Sequence, residues 1–154
     1  MPRVQVVEES TAPPEKVLAA ARDFSPKRAE LWPDVHVEHL IVHAEGETWA
    51  DVTEGNPWPI GVVWERLRYD WSEVGWIKGV VVDSNIFKTG STWQLETTPR
   101  AHGGSRVELT ANRRLKGLRG WSLYPFFPLG LARRDVAGHL RHFLSKVESS
   151  PGSR

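Results

Sequence analysis

The chain has 154 residues, a formal net charge of +1, 40% hydrophobic and 25% charged residues, and no cysteine. That length suits one domain able to bury a sizeable core, and the near-neutral charge offers no electrostatic footprint for nucleic acid. The lack of cysteine excludes disulfides, thiolate zinc sites and cysteine nucleophiles.

Residues 1–7 lack the apolar core of a signal peptide, and no run approaches the ~18 apolar residues of a membrane span. A cytoplasmic protein with no integral membrane segment is expected. Residues 3–9 alternate and read as a first strand. Pro13-Pro14-Glu15 then marks a helix start, with proline just inside it and an acid in the first turn. Val17, Ala21 and Phe24 give that helix one apolar face. Ser25-Pro26 opens a second short helix with Ser25 as N-cap. It closes at Leu31-Trp32-Pro33, because proline disfavours helix at the residue before it.

From Val35 the apolar period changes to two. Strands are expected over residues 35–44, 47–54, 62–71, 76–85, 91–98 and 106–116. Gly55-Asn56-Pro57-Trp58-Pro59 reads as a loop, and tight turns separate the other strands. Charge gives the faces. Arg66, Arg68 and Asp70 share a wet face, so Val63, Glu65, Leu67 and Tyr69 point inward. Trp93 and Leu95 point inward, with Gln94 and Glu96 outward. Val107, Leu109 and Ala111 point inward, with Glu108 and Arg114 outward. Residues 76–85 are apolar on both faces, and their parity is open. Five of the eight Trp residues (49, 64, 71, 76 and 93) fall in or beside these strands, as sheet packing or as an aromatic pocket wall.

Residues 129–148 form the one long helix. Val136, Leu140, Phe143, Leu144 and Val147 make a single apolar stripe. A sheet with one hydrophobic face needs a cover, and this helix supplies it. The connection before it, residues 117–130, is strongly apolar. It reads as a kinked first part of the helix packed on the core, or as a lid carrying Trp121, Leu123, Tyr124, Phe126 and Phe127. It also reads as a surface for transient docking on a bilayer or for a homodimer. Residues 149–154 read as a frayed tail.

The order of elements, together with several short segments, resembles the START-like helix-grip (SRPBCC) superfamily, and within it the polyketide cyclase/dehydrase and lipid-transport branch. The segments are Ala12-Pro13-Pro14-Glu15-Lys16-Val17 with Asp23, Leu31-Trp32-Pro33 and Tyr69-Asp70-Trp71-Ser72-Glu73. Val82-Asp83-Ser84-Asn85, Ser91-Thr92-Trp93 and Gly103-Gly104-Ser105-Arg106-Val107 complete the set. The resemblance covers nearly the whole chain and rests mainly on element order. It implies an α+β helix-grip: a seven-stranded antiparallel curved sheet wrapped around a long C-terminal helix, with two short helices between strands 1 and 2. One domain is expected over residues 1–148. The resemblance further implies a cavity for a lipid, polyketide or aromatic metabolite, with no universal catalytic motif and no cofactor. The iron–sulfur-dependent oxygenase branch needs a Cys/His cluster that this chain lacks.

The expected ligand-binding residues on strands are Val63, Glu65, Leu67, Tyr69, Trp93, Leu95 and Leu109. The connection and helix add Trp121, Phe127, Val136, Leu140 and Phe143. Glu65 is the candidate for chemistry, since an inward carboxylate is desolvated and can act as a general acid or base. The competing reading pairs it with an arginine of the helix or leaves it at the sheet edge. Tyr69, on the same face, could donate to a ligand carbonyl or simply pack its ring.

His36 and His39 would face opposite sides of a strand. His39 and His43 would share a side about 13 Å apart, too far for one metal. His139 and His142 are three residues apart on the helix, with no third ligand evident. No metal site is expected. Asp83-Ser84-Asn85 reads as a side-chain-built turn, with a ligand-gating loop as the alternative, and Asn112 as solvent-facing. No nucleophile elbow, phosphate loop or dinucleotide fingerprint occurs. The readings of function are a hydrophobic-ligand binder, a cyclase/dehydratase-type enzyme using Glu65 with or without Tyr69, and a pocketless protein that works through a partner.

Overall fold

A computed structural model describes residues 3–59, 61–123 and 131–151. Strand β1 (Arg3–Ser10) leads into helices α1 (Pro14–Ala21) and α2 (Arg28–Leu31) and a 3-10 turn (Val37–His39). An antiparallel meander follows: β2 (Ile41–Glu45), β3 (Trp49–Trp58), β4 (Gly61–Asp70), β5 (Trp76–Ser84), β6 (Thr92–Pro99) and β7 (Ser105–Asn112). Helix α3 (Gly117–Leu123) and the long α4 (Leu131–Ser149) close the chain. The sheet order is β1-β7-β6-β5-β4-β3-β2, so the first strand pairs with the last, Arg3 opposite Asn112 and Ser10 opposite Ser105. This is the helix-grip architecture that the element order implies.

The core lies between the concave face of the sheet and α4. Leu67, Tyr69, Ile77, Leu95 and Leu109 are buried from the sheet side. Ala137, Leu140, Phe143, Leu144 and Val147 meet them from α4. The helix lies across β1 with α1 and α2 at its flank. Its far end is tied down by Glu148, whose Oε1 accepts from Ser10 Oγ (2.8 Å) and from the Thr11 backbone N–H (3.2 Å). Gly104, in the β6–β7 turn, has φ +78°, and a Cβ there would collide with the Ser10 carbonyl. Only glycine lets that turn approach the end of β1.

The open parity of β5 is resolved: Ile77, Gly79 and Val81 face the core. A bulge opposite Arg66 and Leu67 then shifts the register, so Ser84 becomes the next buried residue while Val82 is exposed. Such bulges bend a strand and strengthen its twist.

Four boundaries differ from the sequence expectation. Residues 35–40 are not strand. The Val35 N–H donates to Trp32 O and the His36 N–H to Gly55 O, which bends this segment across the end of β3 rather than along it. His36 and His39 therefore flank and end a turn instead of facing opposite sides of a strand. Second, β3 runs on through Gly55, Asn56, Pro57 and Trp58, paired with β4. Proline is tolerated there because β2 pairs with β3 no further than Thr53, so Pro57 lies on a free edge where no N–H is needed. Third, β7 ends at Asn112, and Leu115 makes only an isolated bridge to Phe87. Last, α2 starts three residues after Ser25; the Ser25 carbonyl accepts from the Arg28 N–H in a preceding turn.

Candidate functional site

The turn Asp83-Ser84-Asn85 builds one end of the site. Ser84 Oγ accepts from the Ile86 and Phe87 N–H groups (3.1 Å each) and donates to Trp64 O (2.8 Å). Asn85 Oδ1 accepts from the Trp64 N–H (3.0 Å), and its Nδ2 donates to Val62 O (2.7 Å). The side chains thus hold Ile86 and Phe87 over the start of β4. That is the side-chain-built turn expected of these residue types.

Beside this turn lies a cavity of about 590 Å³ between one end of the sheet and the first turns of α4. The segment Trp32 to Val35 forms one wall. The ends of β3 and β4 supply Glu54, Asn56, Val63 and Glu65. Ile86, Phe87, Trp93, Leu109 and Ala111 form an apolar floor with Arg113 beside it. Leu131, Ala132, Asp135, Val136 and His139 of α4 close the opposite side. Trp32 stacks on Phe143 (centroids 4.3 Å apart, interplanar angle 10°) and meets Trp93 edge-on at 5.5 Å. These rings separate the cavity from the core beneath.

The expected residues divide accordingly. Val63, Glu65, Trp93, Leu109 and Val136 line the cavity. Leu67, Tyr69, Leu95, Leu140 and Phe143 do not; they are buried in the core below it. They lie further along their elements, where Phe24 and the α1 residues Val17 and Ala21 pack in the same core. Trp121, on α3, is 70% exposed and is not among the lining residues. Tyr124, Phe126 and Phe127 lie outside the described residues, as does the Leu123 side chain. His139 lines the cavity with its Nε2 3.5 Å from Asp135.

The polar part of the site is a row of charges set across β3 and β4. Glu54 and Glu65 are directly opposed in the β3–β4 register. Like charges so placed repel, and each is matched by its own guanidinium. Glu54 Oε1 accepts from Arg28 Nε, while its Oε2 accepts from the Tyr69 hydroxyl at 3.1 Å. Arg28 also donates to Ala21 O (2.8 Å) and Tyr69 Oη (3.2 Å), and its guanidinium faces the Phe24 ring at 4.5 Å. Glu54 is therefore fixed from behind by a fully engaged buried cluster. Burial holds the Tyr69 phenol well above its ordinary pKa, and Glu54 pushes the same way. Tyr69 is a neutral donor committed to Glu54.

Glu65 is held differently. Its Oε2 accepts from Arg113 Nη1, the one side-chain hydrogen bond Glu65 makes among the described residues. Arg113 follows β7 and stacks over the Phe87 ring at 4.7 Å. The arginine partner thus comes from the end of the sheet and not from the helix. Burial pushes the Glu65 carboxyl above its ordinary pKa against the pull of Arg113, and the carboxylates of Glu54 and Asp34 push it up further.

Sequence reasoning passed over Arg28, Glu54 and Arg113. Glu54 left a signal: Ala50, Val52 and Glu54 alternate on one face of β3, and all three are buried. Arg28 and Arg113 left none, because their burial depends on partners distant in sequence.

Residues 1–148 match the sequence model of the family described as polyketide cyclase / dehydrase and lipid transport. The chain belongs to that family. Solved structures share the cyclase/dehydrase and lipid-transport fold. TTHA0849 from Thermus thermophilus superposes with a TM-score of 0.77 at 20% identity, covering 97% of this chain and all of that one. The Zhui aromatase/cyclase from a Streptomyces species gives 0.76 at 14% identity, covering 96% and 93%. A START superfamily protein from Mycobacterium smegmatis gives 0.67 at 11% identity, covering 95% and 94%. No curated protein matches the chain. Among the described residues of this family member, no helix is long and apolar enough to cross a membrane.

Proposed function

We propose that residues 1–148 act as one domain that binds a small hydrophobic ligand, a lipid, polyketide or aromatic metabolite, between the sheet and α4. The observation that carries this reading is the cavity of about 590 Å³ with its aromatic and aliphatic floor. Sites for small molecules commonly span roughly 300–1,000 Å³ with mostly apolar walls and a few polar groups. The same cavity weighs against a pocketless interaction protein. Native mass spectrometry of the purified protein is expected to show a small-molecule adduct released by organic solvent. The neutral dye N-phenyl-1-naphthylamine should bind with enhanced fluorescence. Ala132→Phe, which pushes a ring into the cavity from α4, should weaken both signals while leaving the thermal transition in place. Absence of adduct and dye binding in the wild type would remove the basis of this reading.

The second reading, a cyclase/dehydratase-type enzyme, is favoured by one observation: a carboxyl of raised pKa, Glu65, on the cavity wall opposite a second carboxylate. Tyr69 has no free role in it, since its hydroxyl is engaged by Glu54 and Arg28. Glu65→Gln distinguishes the two readings. In a binder the neutral dye binds unchanged and there is no turnover to lose. In an enzyme the variant keeps the dye and loses turnover of a poly-β-ketone substrate.

A further inference from the structure

Two balanced ion pairs sit at the cavity wall, and one of them has an adjustable member. Arg28 and Arg113 match Glu54 and Glu65. Arg28 and Glu54 are locked by Tyr69 and by backbone carbonyls behind the wall. Arg113 and Glu65 line the cavity itself and form an ion pair with each other, with the Asp34 carboxylate acting on both from further off. Asp34 of the segment before β2, and Asp135 and His139 of α4, complete the titratable groups facing this space.

An arginine cannot give up its proton inside a protein, whereas a glutamate can take one up. That asymmetry decides which polar ligands the wall can receive. A cationic ligand that paired with Glu65 would take from Arg113 its contact partner and leave the guanidinium charged, with only the more distant Asp34 carboxylate to offset it. An anionic ligand that paired with Arg113 would strand Glu65, which can be neutralised by a proton. Burial already favours that protonated form. The Phe87 ring under the guanidinium adds an apolar shelf beside the cation.

Building on the ligand-binding reading, we propose that the cavity takes an apolar molecule bearing one carboxylic acid, which replaces Glu65 on Arg113 while Glu65 becomes protonated. The exchange balances. The O–H bond of the acid breaks and a new O–H bond forms on a Glu65 carboxyl oxygen. The ligand carboxylate then accepts from Arg113 Nη1, and the charge of the buried wall is unchanged. An acid that is ionised in solution brings no proton, so its binding draws one from the solvent.

The test uses dodecanoic acid and 2-naphthoic acid with their methyl esters as neutral counterparts. Calorimetry at neutral pH in phosphate and in Tris, whose ionisation enthalpies differ, counts the protons exchanged. Uptake of about one proton per acid bound is expected, and none for the esters. Glu65→Gln should abolish the uptake and tighten acid binding about tenfold for each pH unit by which Glu65 titrates below the assay pH. Arg113→Gln should weaken acid binding more than about tenfold, equivalent to 1.4 kcal/mol, and leave the esters unaffected. Should that variant fail to fold, Glu65→Gln still decides. If esters and acids bind equally with no proton uptake, the acid-exchange inference is overturned and the binding reading stands. If neither class binds while N-phenyl-1-naphthylamine does, the acid-exchange inference alone is overturned; if the dye fails as well, both are.

Discussion

Arg28 carries a permanent charge with only 2% of its surface exposed, and everything near it is arranged to satisfy that charge. Removing one member of a buried ion pair leaves the other uncompensated, at a cost of about 3–5 kcal/mol. Arg28→Met is therefore expected to lower unfolding stability by about that amount in urea titrations. The double variant Arg28→Met/Glu54→Leu should recover most of the loss, because it removes both charges. A double variant no more stable than the single one would contradict this account of the cluster. Glu65 has the opposite character, and its effect shows in the pH dependence. Its pKa is raised in the folded state, so the folded chain holds more protons than the unfolded chain between the two titration ranges. Stability from this group is then lost as pH rises through that window. Glu65→Gln should flatten the slope of stability against pH from the ordinary glutamate range upward, and an unchanged slope would count against the raised pKa. At this scale the inward placement of Glu65 and Tyr69 was legible from strand parity alone. Their partners were not, since parity says which way a side chain points and not what it meets.

Among the elements, β5 shows how one missing atom positions the site. Gly79 is paired with Tyr69, and a Cβ on Gly79 would approach the Tyr69 ring to 2.9 Å and Leu67 to 3.0 Å. The ring lies over that gap and reaches Glu54. Gly79→Val forces it aside. Overpacking of a tight core costs about 1–3 kcal/mol, and the Tyr69–Glu54 hydrogen bond should be strained as well. The expected outcome is a lowered thermal midpoint together with a Tyr69 phenol that titrates at lower pH; retention of both would show that the neighbours yield freely. Strand existence and the stripe of α4 were readable because their periods of two and 3.6 persist over many residues. The ends were not. Pro57 argued for a loop until its place on a free edge removed the objection, and Val35 and Val37 mimicked strand alternation in a segment that turns. The helical stripe also shifted: Ala137 is buried where Val136 is only half so, because α4 turns Val136 toward the cavity.

For the whole molecule, helix and sheet are complementary at one end and parted at the other. The core end is filled by Phe24, Tyr69, Leu140 and Phe143, while the end near Arg113 is left open by the cavity. The fold was legible as an order of elements. The division of its interior into a solid half and a hollow half was not, because inward-facing apolar residues look alike in both. The pairing of β1 with β7 also has a consequence during synthesis. Strand β1 leaves the ribosome first, but the edge it needs is not made until Ser105 to Asn112 emerge. At about 5–20 residues per second, β1 waits roughly 5–20 s with its backbone unpaired, and α4, which lies across it, follows later still. Ribosome-arrested chains ending before Ser105 should therefore be cleaved readily by protease within β1, while chains long enough to expose α4 should resist. Protection of β1 in the shorter chains would mean that it finds an interim partner.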